Sequence, residues 1–274
     1  MTYKTILVDC DASPKVGHRL AVAVELAARF GAHLIGVHVR APVLPPVFAD
    51  GTVPMESLLD AFEQAAKAEE AAAAKAFESA IKGSRWSSEW RVVEGYAEEQ
   101  LANLSRQADL LVLGQTDPDS ATRAVPARPE AVVLASGRPA IVVPHVGTAD
   151  PPGKTVMLCW KPTRESARAA ADALPFLTKA EKVIVLIVDR TAPEGDPAAE
   201  VTTWLERHGI KATVQHDIAS DTDVGDVILS RAADNRADLI VMGLYGHSRL
   251  RQMVLGGVSR TLLASMTTPL FVAH

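Results

Sequence analysis

ADLIVMGL, at Ala237–Leu244, is nearly repeated by ADLLVLGQ at Ala108–Gln115, and this pair of segments decides the fold. Each copy is a short apolar run that contains a glycine near its end, which is typical of a buried strand followed by a loop. Two more segments repeat in the same order: KTILVDCDASP returns as KTVMLCWKPTRES, and RPAIVVPH returns as TPLFVAH. Strand-forming segments that recur in one order indicate two homologous halves.

The junction between the halves lies in VGTADPPGK, Val146–Lys154, whose proline, glycine and small polar residues are typical of a linker. A length of 274 residues also suits two domains of ordinary size. We therefore predict a first domain over residues 1–147 and a second over residues 153–274.

Apolar runs alternate with helical patterns in each half. In the first half the predicted strands are Thr5–Cys10, His33–Val39, Glu89–Val93, Leu110–Leu113 and Ala140–Val143. The predicted helices are Lys15–Phe30, Met55–Lys82, Ala97–Arg106 and Arg128–Ala135. The second half repeats the order with a shorter second helix near Pro197–His208. Because strands this apolar must be covered on both faces, the pattern predicts an α/β fold with two tandem, doubly wound, parallel five-stranded sheets of the Rossmann-like type.

Composition excludes several classes of protein. The net charge is −5, so no basic excess indicates nucleic acid as the main partner. The first residues lack the apolar core of a signal peptide, and no apolar run approaches the ~18 residues of a membrane helix. The two cysteines, Cys10 and Cys159, lie far apart within apolar runs and are predicted to be free, buried thiols. We expect a soluble cytoplasmic protein that contacts no membrane.

Four glycines accompany the second copy of the repeated strand: Gly243, Gly246, Gly256 and Gly257. A glycine-rich turn that leads into a helix presents unpaired N–H groups at the positive end of the helix dipole, and such a concavity binds phosphate. We interpret this loop as a phosphate-binding loop; an ordinary surface loop is the alternative. Neighbouring side chains that would add donors or positive charge are His247, Ser248, Arg249, Arg251 and Ser259.

The loop differs from two common phosphate-binding motifs. It lacks the Gly-Lys-Ser/Thr of a Walker A loop, and it follows a fourth strand rather than the first strand of a dinucleotide-binding unit. Asp9 and Asp11 form an acidic pair at the end of the first strand, and such a pair is also typical of the metal pockets of response regulators. The aspartate and lysine that such a pocket needs after the third and fifth strands are missing, so we interpret the pair as a solvated strand end. We predict no catalytic residue and no protein metal site.

The spacing Gly243-x2-Gly246-x9-Gly256, between a fourth strand and a fourth helix, resembles the nucleotide loop of universal stress proteins. The repeated first strand and the ADLIVMG and TTPLFVAH segments are similar to that family as well, so the resemblance covers nearly the whole chain as a tandem pair. It implies the family's nucleotide-binding fold, with ATP, alone or with Mg²⁺, as the ligand of the second half. The implied binding residues are Gly243, Gly246, His247, Ser248, Arg249, Gly256, Gly257, Val258 and Ser259, with the main chain of Val188 at the adenine and Lys161 at the end of the first strand.

Each half departs from the family pattern in a different place. In the second half, Lys161 stands where the family has an aspartate, and Gly257 stands where a serine or threonine usually follows the last glycine. A lysine cannot accept a hydrogen bond from a ribose hydroxyl, although it can attract phosphate. In the first half, Asp11 and Ser13 match the family, but the loop after Gly114 has no later glycine pair and carries aspartates that would repel phosphate.

The resemblance implies a stress-response sensor or regulator whose nucleotide occupancy changes a surface read by an unidentified protein partner. A slow ATPase that uses the same loop and a scaffold that binds no nucleotide are the open alternatives. The tandem halves are expected to pack as an intramolecular pseudo-dimer, which leaves pairing of two chains to a homodimer open. The proline-rich segment Val39–Ser57 is longer than an ordinary crossover loop, so it is either a lid, a partner surface or a cover for the sheet edge.

Overall fold

A computed structural model of the chain describes residues 2–42, 55–116, 127–148, 150–191, 195, 197–219, 222–244 and 257–274. Most of the segment Val39–Ser57 lies outside these ranges, and so do the first-half loop over 117–126 and the second-half loop over 245–256. None of the helices in the described ranges is long and apolar enough to cross a membrane.

The described part of the first half has five strands and four helices in strict alternation. Their bounds are β1 Thr5–Asp9, α1 Val16–Phe30, β2 His33–Arg40, α2 Met55–Ile81, β3 Ser88–Glu94, α3 Ala97–Ser105, β4 Leu110–Gly114, α4 Pro129–Ser136 and β5 Ala140–Val143. Helix α1 forms because its apolar residues recur at helical spacing and face the sheet, and it ends where Gly31 adopts the left-handed conformation with φ of 60°.

The described part of the second half repeats this order with one additional helical turn. Its bounds are β6 Thr155–Cys159, α5 Arg164–Asp172, α6 Leu174–Leu177, β7 Lys182–Asp189, α7 Ala199–Arg207, β8 Ala212–Ile218, α8 Val224–Asp234, β9 Leu239–Gly243, α9 Gly257–Ser265 and β10 Leu270–Ala273. The sequence pattern did not predict α6 as a separate helix. It is separate because Pro175 has no N–H to donate to the last turn of α5, yet fits the first turn of a new helix.

All ten strands form one sheet in the order β3-β2-β1-β4-β5-β10-β9-β6-β7-β8. Each half contributes a doubly wound set of five parallel strands, as predicted. The sets meet where β5 and β10 pair antiparallel, with Phe271 opposite Ile141. Because this central pairing is antiparallel, the carboxyl ends of the first-half strands and those of the second-half strands lie at opposite edges of the sheet.

The core has two layers, one on each face of the sheet. Ile6 and Val8 belong to one layer, and Leu7 between them belongs to the other, as the alternation of a strand requires. Both layers contain buried residues from both halves. The halves therefore share a continuous core rather than touching through a polar interface.

Equivalent aspartates fix the starts of β1 and β6, the middle strand of each five-stranded set. The Asp109 carboxylate accepts hydrogen bonds from the backbone N–H groups of Lys4 and Thr5, at 2.7 and 3.0 Å. The Asp238 carboxylate accepts from those of residues 153, 154 and 155 in the same way. These contacts set the position of β1 and β6 along the sheet, and so the position of the residues that follow their carboxyl ends.

Candidate functional site

The second-half strands β6 and β9 are neighbours in the sheet, so their carboxyl ends open onto the same edge. Lys161 follows β6 and is exposed, while Gly243 is the last residue of β9. Gly257 begins α9, the next helix. The remaining members of the predicted loop, Gly246, His247, Ser248, Arg249 and Gly256, lie outside the described residues.

Gly243 packs directly against the main chain of helix α5. A Cβ atom at this position would lie 2.5 Å from the carbonyl carbon of Glu165 and 2.6 Å from the nitrogen of Ser166. Backbone atoms cannot move aside as a flexible side chain can. Gly243 is therefore required by the close approach of α5 to β9, whether or not a ligand binds beside it.

Gly257 is different, because it is exposed and the described residues leave space around it. A Cβ atom there would come within 4 Å of one atom among the described residues, the Asp223 Oδ2 at 3.8 Å. The next two residues turn inward: Val258 packs against one core layer and Ser259 is buried. Among the described residues, little therefore packs on Gly257 at the amino end of α9, while the residues that follow it anchor the helix.

Asp223 was not predicted as a site residue. Its Oδ1 accepts a hydrogen bond of 2.7 Å from the Gly225 N–H and so caps helix α8. Its other carboxylate oxygen faces the start of α9. An aspartate just before a helical pattern is a sequence signal for a cap, but its closeness to α9 depends on the packing of α8 against α9.

Val188 lies near the carboxyl end of β7, and its side chain packs against a core layer. The Leu186 carbonyl accepts from the Trp160 N–H at 2.8 Å, on the side of β6. Because successive strand residues present their polar groups to opposite sides, Val188 faces the same way as Leu186. Strand β6 has already ended there, so the Val188 main chain faces the gap beyond its end.

The first half has an equivalent edge, and its cleft contains a buried ion pair. Arg19 of α1 contacts the Asp9 Oδ2 at 3.5 Å and makes a close hydrogen bond to Asp11 Oδ1. Its Nη2 also lies 3.5 Å from the Ser13 hydroxyl. Arg19 and Asp9 are buried, with exposed fractions of 6% and 9%. The interpretation of Asp9 and Asp11 as a solvated strand end was wrong, because Arg19 reaches back from the helix to pair with them.

Arg19 also occupies the space in front of Gly114. A Cβ atom at Gly114 would lie 2.5 Å from the Arg19 Nη1. The guanidinium thus fills the corner between the ends of β1 and β4, where Gly243 of the second half meets main chain instead. The sequence signal for Arg19 was a cation on the apolar face of α1, eight residues after Asp11.

Burial and charge act in opposite directions on the two carboxylates. Burial raises the pKa of Asp9 to about 7, with attraction from Arg19 lowering it and repulsion from Asp11 raising it further. Burial also favours a higher pKa for Asp11, but the charge and hydrogen bond of Arg19 outweigh it and hold that pKa below its usual range. The close pair is therefore Arg19 with Asp11, and Asp9 is the group that changes protonation near neutral pH.

The rest of the first-half cleft is lined by both polar and apolar residues. His18 and His145 line it together with Gln115. No group of three or more His, Cys, Asp or Glu side chains is arranged to hold a metal ion among the residues that the structure describes. Cys10 and Cys159 are both free, with Cys10 buried and Cys159 half-buried.

Solved structures with the same architecture include a universal stress protein from Archaeoglobus fulgidus DSM 4304. It is 16% identical, with 98% of this chain and 97% of that chain aligned at a TM-score of 0.72. A functionally unknown protein from Pseudomonas aeruginosa PAO1 is 13% identical, with 99% and 92% aligned at a TM-score of 0.60. Both likenesses concern the fold alone.

A comparison with curated protein sequences found no significant match. The model of the universal stress protein family matches residues 2–144 and again residues 153–274. These two matches cover nearly all of the chain and fall on its two sets of five strands. The chain belongs to the universal stress protein family, with one family match in each half.

Proposed function

We propose that the second half binds an adenine nucleotide, with ATP as the expected ligand, and that the chain is a sensor or regulator rather than a turnover enzyme. The observation that carries this proposal is the amino end of α9. Gly257 is exposed there, with little around it among the described residues, at the edge where β6 and β9 end. The N–H groups of a first helical turn lack intrahelical partners and attract anions.

The nucleoside would be held by main chain and by lysine rather than by a carboxylate. The Val188 main chain faces the gap beyond β6 and could pair with an adenine edge. Lys161, exposed beyond the same strand, carries only donors, so it would contact phosphate and not the ribose hydroxyls. Mg²⁺, if it accompanies ATP, would be held mainly by phosphate and water, as is usual for this ion.

The first half would not bind nucleotide in the same pose. Arg19 already pairs with Asp11, the carboxylate that would otherwise accept from a ribose, and it fills the space in front of Gly114. We accordingly divide the chain into a first domain, 1–147, without a working nucleotide loop and a second domain, 153–274, that retains it. The two free cysteines suit a reducing compartment, and we propose the cytoplasm.

The test is a calorimetric titration of the full chain with ATP, with and without Mg²⁺. We expect one site per chain, loss of binding in Gly246→Val, and unchanged binding in the matched variant Gly17→Val. Gly17 is a suitable control because it is exposed in α1 and a Cβ there would meet nothing within 4 Å. Absence of saturable binding, with no nucleotide released on denaturing freshly purified protein, would overturn the proposal.

A second measurement on the same proteins distinguishes a nucleotide-binding protein from a slow ATPase. Phosphate release would be followed at saturating ATP for the parent and for Gly246→Val. We expect no turnover above the background of the solution. Turnover that saturates with ATP and disappears in Gly246→Val would replace the sensor by an ATPase that uses the same loop.

A further inference from the structure

Helix α9 joins the two opposite edges of the sheet. Its amino end, at Gly257, lies at the edge where the second-half strands end. Its carboxyl end must then lie toward the other edge, where the first-half strands end, because β10 follows α9 and pairs antiparallel with β5. A helix of nine residues spans about 13 Å, so what holds one end also sets the other.

Gln115 holds the carboxyl end of α9 from the first half. Its Nε2 donates to the carbonyls of Leu263 and Ala264, at 3.0 and 2.9 Å. The last carbonyls of a helix have no partner within it, so these two hydrogen bonds satisfy groups that would otherwise need another donor. Gln115 is 9% exposed, and hydrogen bonds in such a site are protected from competition with water.

Hydrogen bonds within the first half fix both the backbone and the side chain of Gln115. Its backbone N–H donates to the Val143 carbonyl at 2.9 Å, and its Oε1 accepts from the His145 N–H at 2.9 Å. The backbone N–H of Gln115 and both polar atoms of its side chain are therefore engaged in hydrogen bonds. The side chain cannot turn away from α9 without losing the bond to His145.

The residue equivalent to Gln115 makes no such contact in the other direction, although the exposed Arg168 of the second half reaches the Gly137 carbonyl at the end of α4, at 3.4 Å. Leu244 takes the equivalent place after β9, as its N–H donates to the Ala273 carbonyl at 2.8 Å, but its side chain is buried and carries no amide. The helix of the first half, α4, therefore receives no such contact from the second half at this position. At this pair of equivalent positions, the buried amide contact is made to the half whose glycine loop is retained.

We propose that Gln115 is a positioning residue for the second-half nucleotide site: the first half fixes the carboxyl end of α9 and thereby the amino end that faces the ligand. This inference rests on the proposed nucleotide binding. It gives the first half, whose own loop is degenerate, a part in the binding site of the second.

The test compares the parent with Gln115→Met and Gln115→Glu. Methionine has nearly the same length but no hydrogen-bonding group. The carboxylate introduced by Q115E can still accept from His145 but donates to no carbonyl until it is protonated. The matched control is Arg168→Ala, because the Arg168 Nη2 donates to the Gly137 carbonyl, at 3.4 Å, and so also links the halves at a helix end.

Two measurements are made on each protein. Hydrogen exchange of the segment 257–265 without nucleotide reports on α9 itself, and we expect it to be about fivefold to tenfold faster in Q115M. The dissociation constant for ATP should rise by a similar factor in Q115M. In Q115E both the faster exchange and the weaker ATP binding should become smaller than in Q115M as the pH is lowered. The reason is that protonation of the new carboxyl restores one donor. R168A should match the parent in both measurements.

The outcomes are distinct. If the parent binds no ATP, the proposed function fails, and the exchange of α9 still decides whether Gln115 positions the helix. If Q115M matches the parent in α9 exchange, Gln115 does not position the helix and the inference is wrong. The inference is also wrong if R168A changes α9 exchange and ATP affinity as much as Q115M does. Should Q115M fail to fold, Q115E and its pH dependence provide the same comparison.

Discussion

Arg19 and Lys161 show how single residues distinguish the two halves. Eight residues after Asp11 stands Arg19, and eight residues after Lys161 stands the buried Ala169. The half that keeps the carboxylate also has the arginine that pairs with it, and the half that has lost the carboxylate has lost the arginine. Each half thus avoids an unpaired buried charge, which would be costly in either position.

The buried carboxyl of Asp9 should make stability depend on pH near neutrality. Its folded pKa, about 7, lies above its ordinary value of 3.8, so the folded state binds the proton more tightly than the unfolded state. This contribution is present at low pH and is lost as the pH rises from about 4 to about 7. Between about pH 5 and 7, the free energy of unfolding of the parent should fall relative to Asp9→Asn, by at most ~1.4 kcal/mol per pH unit.

Urea denaturation of both proteins at several pH values measures this difference. The control is Asp11→Asn, because the pKa of Asp11 is lowered and its own contribution is lost only below about pH 4. The Asp11 variant should keep a falling slope between pH 5 and 7. Parallel curves for the parent and Asp9→Asn would show that Asp9 does not titrate in this range.

Asp223 provides a test of phosphate at the start of α9. Its carboxylate lies close to Gly257 and would repel a bound phosphate, so Asp223→Asn should tighten ATP binding by about threefold to tenfold. Asparagine caps a helix as well as aspartate does, so α8 should be preserved. Asp226→Asn, an exposed position in the first turn of the same helix, removes the same charge without the same closeness to Gly257. Equal affinities for the parent and Asp223→Asn, measured by calorimetry, would speak against phosphate at this helix end.

Two glycines that the sequence assigns to one loop belong to different elements with different demands. Gly243 ends β9 against the main chain of α5, whereas Gly257 begins α9 and, in the part of the chain that the structure describes, has no backbone atom that close. Gly243→Ala should lower the free energy of unfolding by about 1–3 kcal/mol, because the added methyl group overlaps backbone that cannot yield cheaply. Gly257→Ala makes the same chemical change and should alter it by no more than about 0.5 kcal/mol. Urea denaturation of the pair decides this, and an equal loss in both would mean that contact with α5 is not the reason for Gly243.

The strands and most helices follow from the sequence because apolar periodicity marks them. β5 was predicted residue for residue, and the other first-half strands were predicted to within a residue of their observed ends. Contacts between elements were not predictable in this way. Arg19 and Gln115 sit in segments that were correctly assigned, but their partners are distant in the chain or in the other half. The sequence shows which element a residue belongs to, and the packing of elements decides which side chains meet.

The ten-stranded sheet provides a structural basis for the division of function that we propose between the halves. The last strands of the two halves pair with each other, so the outermost strands of the whole sheet are β3 and β8. Because this central pairing is antiparallel, the two clefts lie where the strands of each half end, on opposite sides of the sheet. Helix α9 extends from one of these sides toward the other. Under the proposed function, we expect nucleotide binding in the second half and changes in the first-half cleft to affect each other through Gln115.

A shared core predicts that the two halves unfold together. Phe176 of the second half packs on Phe30 and Tyr3 of the first, with ring centroids 5.2 and 5.6 Å apart, and on Phe271 at the centre of the sheet. Phe176→Ala should cost about 3–5 kcal/mol and should speed hydrogen exchange in β1 as well as in β10, within a single denaturation transition. Val146→Ala, at a position that is 71% exposed, is the control and should leave both strands unchanged. Faster exchange confined to the second half, or two separate transitions, would mean that the halves are independent folding units joined by a linker, and the coupling inferred through α9 would then lack the rigid frame that it requires.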